Sequence, residues 1–145
     1  MLLWINGPFG GGKSETAREL RSRLPGSVIC DPEELGFGLQ RMLPAGLRRD
    51  FQDFPAWRQG VYEALDLVLG SVDGPVIAPM TLIEPGYFAE IIGRLTDSGH
   101  DVRHFALLAE AIAASAGLQL GRHRGTAAGD RLRWAGRGLR HALTS

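Results

Sequence analysis

The sequence predicts an α/β fold with a parallel sheet, on three observations. Short apolar runs alternate with amphipathic stretches along most of the chain. A glycine-rich loop joins the first run to the first amphipathic stretch. Turn-forming Pro and Gly pairs mark the joints. Strands that alternate with helices pair in parallel through right-handed crossovers.

Each element can be justified in order. Leu2-Leu3-Trp4-Ile5-Asn6 is a short apolar run stopped by Gly7-Pro8, which reads as a buried strand. Over 13–24, Ala17, Leu20 and Leu24 recur at helical spacing, with Arg18, Glu19, Arg21 and Arg23 opposite. Pro25-Gly26 ends that helix, and Val28-Ile29-Cys30 forms a second strand closed by Asp31-Pro32. Residues 33–43 read as a helix weakened by Gly36 and Gly38 and stopped by Pro44. Residues 55–69 read as a stronger helix, with Trp57, Val61, Leu65 and Val68 on one face. Val76-Ile77-Ala78 follows Asp73-Gly74-Pro75 as a third strand. Residues 85–95 place Phe88, Ile91, Ile92 and Leu95 inward on a helix. Residues 102–109 read as a fourth strand, and 110–120 as a helix.

Composition narrows the class of protein. The 145 residues are close to one average domain and 44% of them are hydrophobic, which suits one globular core. Such a chain buries about 70% of its unfolded surface. Sixteen basic and sixteen acidic side chains cancel, which argues against a nucleic-acid-coating protein. The one cysteine, Cys30, excludes an internal disulfide and suits a reducing compartment, so the cytoplasm is expected. The N-terminal apolar run has no basic lead-in and is not an export signal. No apolar stretch is long enough for a membrane helix.

Charge and lysine usage are uneven. Residues 1–120 hold ten basic and fifteen acidic side chains, and residues 121–145 hold six Arg and one Asp. The organisation expected is a core over 1–120 followed by a basic segment over 121–145. Lys13 is the only lysine.

That lysine lies in Gly7-Pro8-Phe9-Gly10-Gly11-Gly12-Lys13-Ser14, which fits G-x-x-x-x-G-K-[ST] at every fixed position. A strand precedes it and a helix follows, as a P-loop requires. Glycines let successive backbone N–H groups turn toward phosphate oxygens, and the helix start adds open N–H groups and the positive dipole end. Lys13 is expected on the β- and γ-phosphates and Ser14 on Mg²⁺, with residues Gly7 to Glu15 forming the nucleotide cradle. Guanine recognition by an Asn-Lys-x-Asp segment is excluded, because no second lysine exists, so ATP is the expected nucleotide. The last glycine of a dinucleotide fingerprint is missing, since Glu15 stands there.

Ligands of such sheets sit beyond the carboxyl ends of the strands. Asp31 lies there after strand two, with Glu33 and Glu34 behind it. It either accepts a proton from an acceptor hydroxyl, or holds Mg²⁺ through water, or simply caps the next helix. Strand three ends in Ala78-Pro79-Met80-Thr81 with no acid before Glu84. Mg²⁺ therefore leans on Ser14 together with Asp31, Thr81 or Glu84. A mechanical ATPase is disfavoured by the missing acid. Strand one of a P-loop kinase lies inside its sheet, so the order expected is 2-3-1-4.

Further segments extend the pattern. Trp4-Ile5-Asn6-Gly7-Pro8-Phe9-Gly10, Asp31-Pro32-Glu33, Phe54-Pro55-Ala56-Trp57, Ala78-Pro79-Met80-Thr81, Pro85-Gly86-Tyr87-Phe88, Ile91-Ile92-Gly93-Arg94-Leu95 and His104-Phe105 resemble, in this order, the tunicamycin-resistance family of P-loop proteins. The likeness spans residues 2–109. That family is similar to small-molecule kinases of the nucleoside monophosphate kinase and chloramphenicol phosphotransferase type. The resemblance implies ATP-dependent protection against a nucleoside antibiotic, by binding or phosphorylating it. A metabolite kinase and a sequestering module without catalysis are the competing readings. Either way the partners are a nucleotide and a small molecule.

The family carries a lid of basic residues, then a fifth strand and a last helix. Residues 121–145 have lid-like arginines, of which Arg122 and Arg124 are the candidates for clamping a transferring phosphoryl group. A solvated tail and a basic amphipathic segment in peripheral contact with anionic membrane are the other readings of this stretch. No fifth strand is readable before Ser145, so a four-stranded sheet is expected.

Overall fold

A computed structural model describes residues 1–107. The helix expected over 110–120 and the basic segment over 121–145, with Arg122 and Arg124, lie outside the described residues.

The elements run β1 (Leu2–Asn6), α1 (Lys13–Arg23), β2 (Val28–Ile29), α2 (Pro32–Met42), α3 (Pro55–Ser71) and β3 (Val76–Pro79). A helix of three parts follows: α4 (Pro85–Phe88), a π-helical turn (Ala89–Gly93) and α5 (Arg94–Asp97). β4 (Val102–Ala106) closes the described chain. The four strands form one sheet in the order β2-β3-β1-β4, with every pair parallel. This is the order read from the sequence. Leu2 pairs with Val76 on one side and Val102 on the other, so β1 lies inside the sheet.

Alternation along β1 assigns its side chains to two layers. Leu2 and Trp4 face α3 and the helix at 85–97, and join Trp57, Val61, Leu65, Ile91, Ile92 and Leu95 in the larger core. Leu3 and Ile5 face α1 and pack with Ala17, Ile77 and Leu107. All five β1 residues are buried, as a two-sided parallel strand requires. Each fully buried aliphatic side chain here contributes about 1.5–3 kcal/mol.

Several boundaries differ from the sequence reading. β2 is only two residues long, although the ladder is prolonged by Cys30 N–H donating to the Ile77 carbonyl at 2.9 Å. β4 ends at Ala106 rather than at 109, and Leu107 N–H donates to the Asn6 carbonyl at 2.8 Å. The helix at 85–97 contains a π turn that the 3.6-residue period does not reveal; it carries the buried pair Ile91 and Ile92. Two 3₁₀ turns, Ala45–Leu47 and Phe51–Asp53, occupy the connection between α2 and α3. Gly36 is a packing device rather than a weakness: a Cβ there would lie 2.5 Å from the Phe51 ring. Only glycine lets the ring lie flat on α2.

Candidate active site

In a parallel sheet the carboxyl ends of all strands share one edge, and the site lies there. β1 delivers the glycine loop. Gly10 (φ 71°) and Gly12 (φ 82°) occupy the left-handed region, where side chains are strained. Gly11 N–H donates to the Pro8 carbonyl at 3.0 Å, which curls the loop. A Cβ on Gly11 would stand 2.9 Å from that same carbonyl. Gly12 caps α1 without a side-chain hydrogen bond, so no side chain fills the mouth of the helix. These features fit a phosphate group: a cradle without Cβ atoms, closed by a helix start.

Lys13 is buried at 7% exposure, and its Nζ donates back to the Pro8 carbonyl at 2.9 Å. The ammonium thus folds over the loop that it is expected to serve. Ser14 and Glu15 are exposed on the first turn, as are Pro8, Phe9 and Gly10 in the loop. Phe9 is 95% exposed and takes no part in the core.

β2 delivers Asp31, which is half-buried. Its Oδ1 accepts from Glu33 N–H at 2.9 Å, so it caps α2. A carboxylate has two oxygens, and the cap engages one of them through this bond. The Asp31 corner is also held by Trp57, whose indole N–H donates to the Pro32 carbonyl at 3.0 Å. Burial, and then the Asp31 charge, push the neighbouring Cys30 thiol above its ordinary range. Glu33 and Glu34 follow in the first turn of α2, where acids suit the helix dipole.

β3 lies between these two and ends without an acid, as expected. The structure gives Thr81 a bond to the loop itself: its hydroxyl donates to the Gly7 carbonyl at 2.6 Å. Glu84 is exposed at the start of α4 and makes no side-chain cap there.

Sequence reasoning missed the polar residues that join these pieces. Asn6 is 8% exposed, and its Oδ1 accepts from Gly7 N–H at 2.9 Å and from Leu82 N–H at 3.0 Å. Its Nδ2 donates to the Leu82 carbonyl at 2.6 Å. One amide therefore staples the loop after β1 to the loop after β3. The signal was a single amide ending an apolar strand. Gln52 and Arg58 carried no signal, because their partners are the carbonyls of Thr81 and Gln52. His100 pairs with Asp66 at 2.7 Å, and no group of metal-ligating side chains occurs among the described residues. No helix among the described residues is long and apolar enough to cross a membrane.

Neither the protein-family models nor the curated proteins give a match to this sequence. Solved structures do. The tunicamycin resistance protein of Deinococcus radiodurans is similar with a TM-score of 0.68 and 35% identity, over 91% of this chain and 78% of that one. The Pnkp1/Rnl/Hen1 complex shares the fold at a TM-score of 0.52 and 18% identity, over 87% of this chain and 41% of that one. APS kinase CysC of Mycobacterium tuberculosis gives a TM-score of 0.49 and 23% identity, over 73% of each chain.

Proposed function

This chain belongs to the tunicamycin-resistance protein family of P-loop proteins, and on that premise we propose that it is an ATP-dependent small-molecule kinase. Its substrate is a hydroxylated acceptor of the nucleoside-antibiotic class, and modifying that acceptor confers resistance. The observation that carries the reading is the placement of Asp31 and the Gly7–Glu15 loop on the same sheet edge, either side of an acid-free β3. A carboxylate across from a phosphate cradle suits transfer to an acceptor better than ATP hydrolysis by a strand-three acid.

The residues divide the work. The glycine loop and the α1 start bind and orient the phosphates through backbone N–H groups. Lys13 swings from the Pro8 carbonyl to the β- and γ-phosphate oxygens. Ser14 would hold Mg²⁺, which would supply neutralisation of phosphate charge when bound. Asp31 takes the proton of the acceptor hydroxyl while the oxygen bonds to the γ-phosphorus. The bond to the β,γ-bridging oxygen breaks, and ADP leaves. Arg122 and Arg124 clamp the transferring group from the segment after the core. The one thiol, Cys30, suits work in a reducing cytoplasm.

The test is a radiolabel-transfer assay with γ-labelled ATP, Mg²⁺ and a panel of nucleoside antibiotics that includes tunicamycin. A labelled acceptor is expected. Label on an ordinary metabolite instead would make the protein a metabolite kinase. Tight drug binding without label would make it a sequestering module.

A further inference from the structure

One corner of the fold reaches both halves of the site. It consists of the 3₁₀ turn Phe51–Asp53 and the first turn of α3. On one side Gln52 Nε2 donates to the Thr81 carbonyl at 2.9 Å, and the Thr81 hydroxyl donates to the Gly7 carbonyl at 2.6 Å. On the other side the Trp57 indole donates to the Pro32 carbonyl, next to Asp31, and Phe51 lies against Gly36 of α2.

The corner is braced from behind by a buried charge. Arg58 is 8% exposed; its Nη1 donates to the Gln52 carbonyl and its Nε to Glu90 Oε2, both at 2.6 Å. Its guanidinium lies 4.2 Å from the centroid of Tyr87, whose hydroxyl donates to Asp53 Oδ1 at 2.7 Å. Burying a guanidinium is unfavourable unless its hydrogens are met. Here two of its five N–H groups are met, one by the Gln52 carbonyl and one by Glu90 of the helix at 85–97.

The sheet alone holds Asp31 weakly. β2 has two residues and, among the described residues, pairs only with β3, so the carboxylate follows a short strand at the edge of the described sheet. We propose that Gln52 and Trp57 are positioning residues: each ties one half of the site to this braced corner, and together they set the gap between Asp31 and the phosphate loop. The inference rests on the kinase reading only in making Asp31 the base; the tie itself is independent of it.

Amide hydrogen exchange on the full chain, read beside ATP·Mg²⁺ affinity and transfer rate, tests the two branches separately. Gln52→Met keeps the length and removes the donor. Exchange over residues 7–16 is expected to quicken about three- to tenfold, as for one lost hydrogen bond, with residues 31–36 unchanged. Thr81→Val is expected to match it, and Thr81→Ser, which keeps the hydroxyl, to match the parent. Trp57→Phe is expected to give the reverse, faster exchange at 31–36 and none at 7–16. In Trp57→Phe, kcat is expected to fall about tenfold at unchanged ATP affinity, with no further fall in an Asp31→Asn background. Exchange that quickens equally in both segments, or in neither, overturns the proposal and leaves the corner as ordinary core. If the parent labels no acceptor, the kinase reading fails while the exchange pattern still judges the tie.

Discussion

The glycine-loop half of the candidate site and the Asp31 half, the proposed acceptor side, are built in opposite ways. The loop half is one continuous segment, in which Gly7 to Gly12 join β1 to α1, Lys13 to Glu15 open α1, and Lys13 answers to Pro8 five residues away. The Asp31 half is assembled from afar: its corner depends on Trp57, 25 residues from Pro32, and the tie that joins it to the loop runs from Gln52 through Thr81 to Gly7, across 29 and 74 residues. A local device writes its requirements into adjacent residues. A device made of distant backbone carbonyls leaves no pattern, because any side chain with a donor of the right length could meet them. The first half is therefore a motif and the second is a fold.

The sharpest way to break this comparison is to remove chemistry from the acceptor half while sparing its shape. Asp31→Asn keeps the cap on Glu33 N–H, since Asn caps about as well as Asp, but removes the charge and the basicity. Transfer is expected to fall by about 10² to 10⁴, with ATP binding and urea midpoint close to the parent. Parent-rate transfer would leave Asp31 a cap alone. Loss of ATP·Mg²⁺ binding would make it chiefly a metal-site residue.

On the loop half, Lys13→Ala removes the only lysine of the chain. Transfer is expected to fall by about 10² to 10³, together with a loss of ATP affinity. Affinity measured by calorimetry and unchanged in the variant would sink the assignment of the loop. The contrast between the two variants is the point. Loss at Asp31 is expected in turnover alone, and loss at Lys13 in both turnover and binding.

The sequence showed the first half well and the second half poorly, for a physical reason. Strand order, the place of β1 inside the sheet, the four strands of the described sheet and the inward faces at Trp57, Val61 and Leu65 followed from periodicity and the loop motif. Asp31 was singled out by position with a helix cap among its readings, and the structure shows it capping α2. Gly36 was read only as a helix weakness, because a close approach by Phe51 cannot be seen along one dimension. The 3₁₀ turn Phe51–Asp53 has no period, and Gln52 and Arg58 belong to no sequence motif. The π turn of Ala89–Gly93 shifts the phase of a helix that otherwise reads correctly.

Gly36 offers a test of intermediate size. An added Cβ at this site meets three Phe51 ring atoms within 2.6 Å, so Gly36→Ala forces the ring or the helix to move. Overpacking of this kind costs about 1–3 kcal/mol, read as a lower urea midpoint at unchanged slope. Because α2 carries the Asp31 cap, transfer is expected to fall more than ATP affinity. An equal fall in both would mean that the two halves do not separate.

The smallest expected effect concerns pH and a residue away from both halves. His104 stands opposite Trp4 in the β1–β4 register, and its ring meets Phe88 edge-on at 5.1 Å. Among the described residues its Nε2 is buried without a hydrogen-bond partner, and burial pushes its pKa below the ordinary 6.5. Between the folded and unfolded values the unfolded chain binds more protons, so stability rises with pH there. The contribution is full above the unfolded value and is lost as pH falls through 6.5 toward the lowered folded value. His104→Phe keeps an aromatic edge for Phe88 and removes the titration. Urea midpoints at about pH 8 and about pH 5.5 should drop less in the variant than in the parent. His100, which pairs with Asp66, is present in both proteins and cancels from the difference. The effect is small because the ring is only partly buried. An equal drop in the two proteins would show that the buried imidazole finds a proton as readily as it does in the unfolded chain.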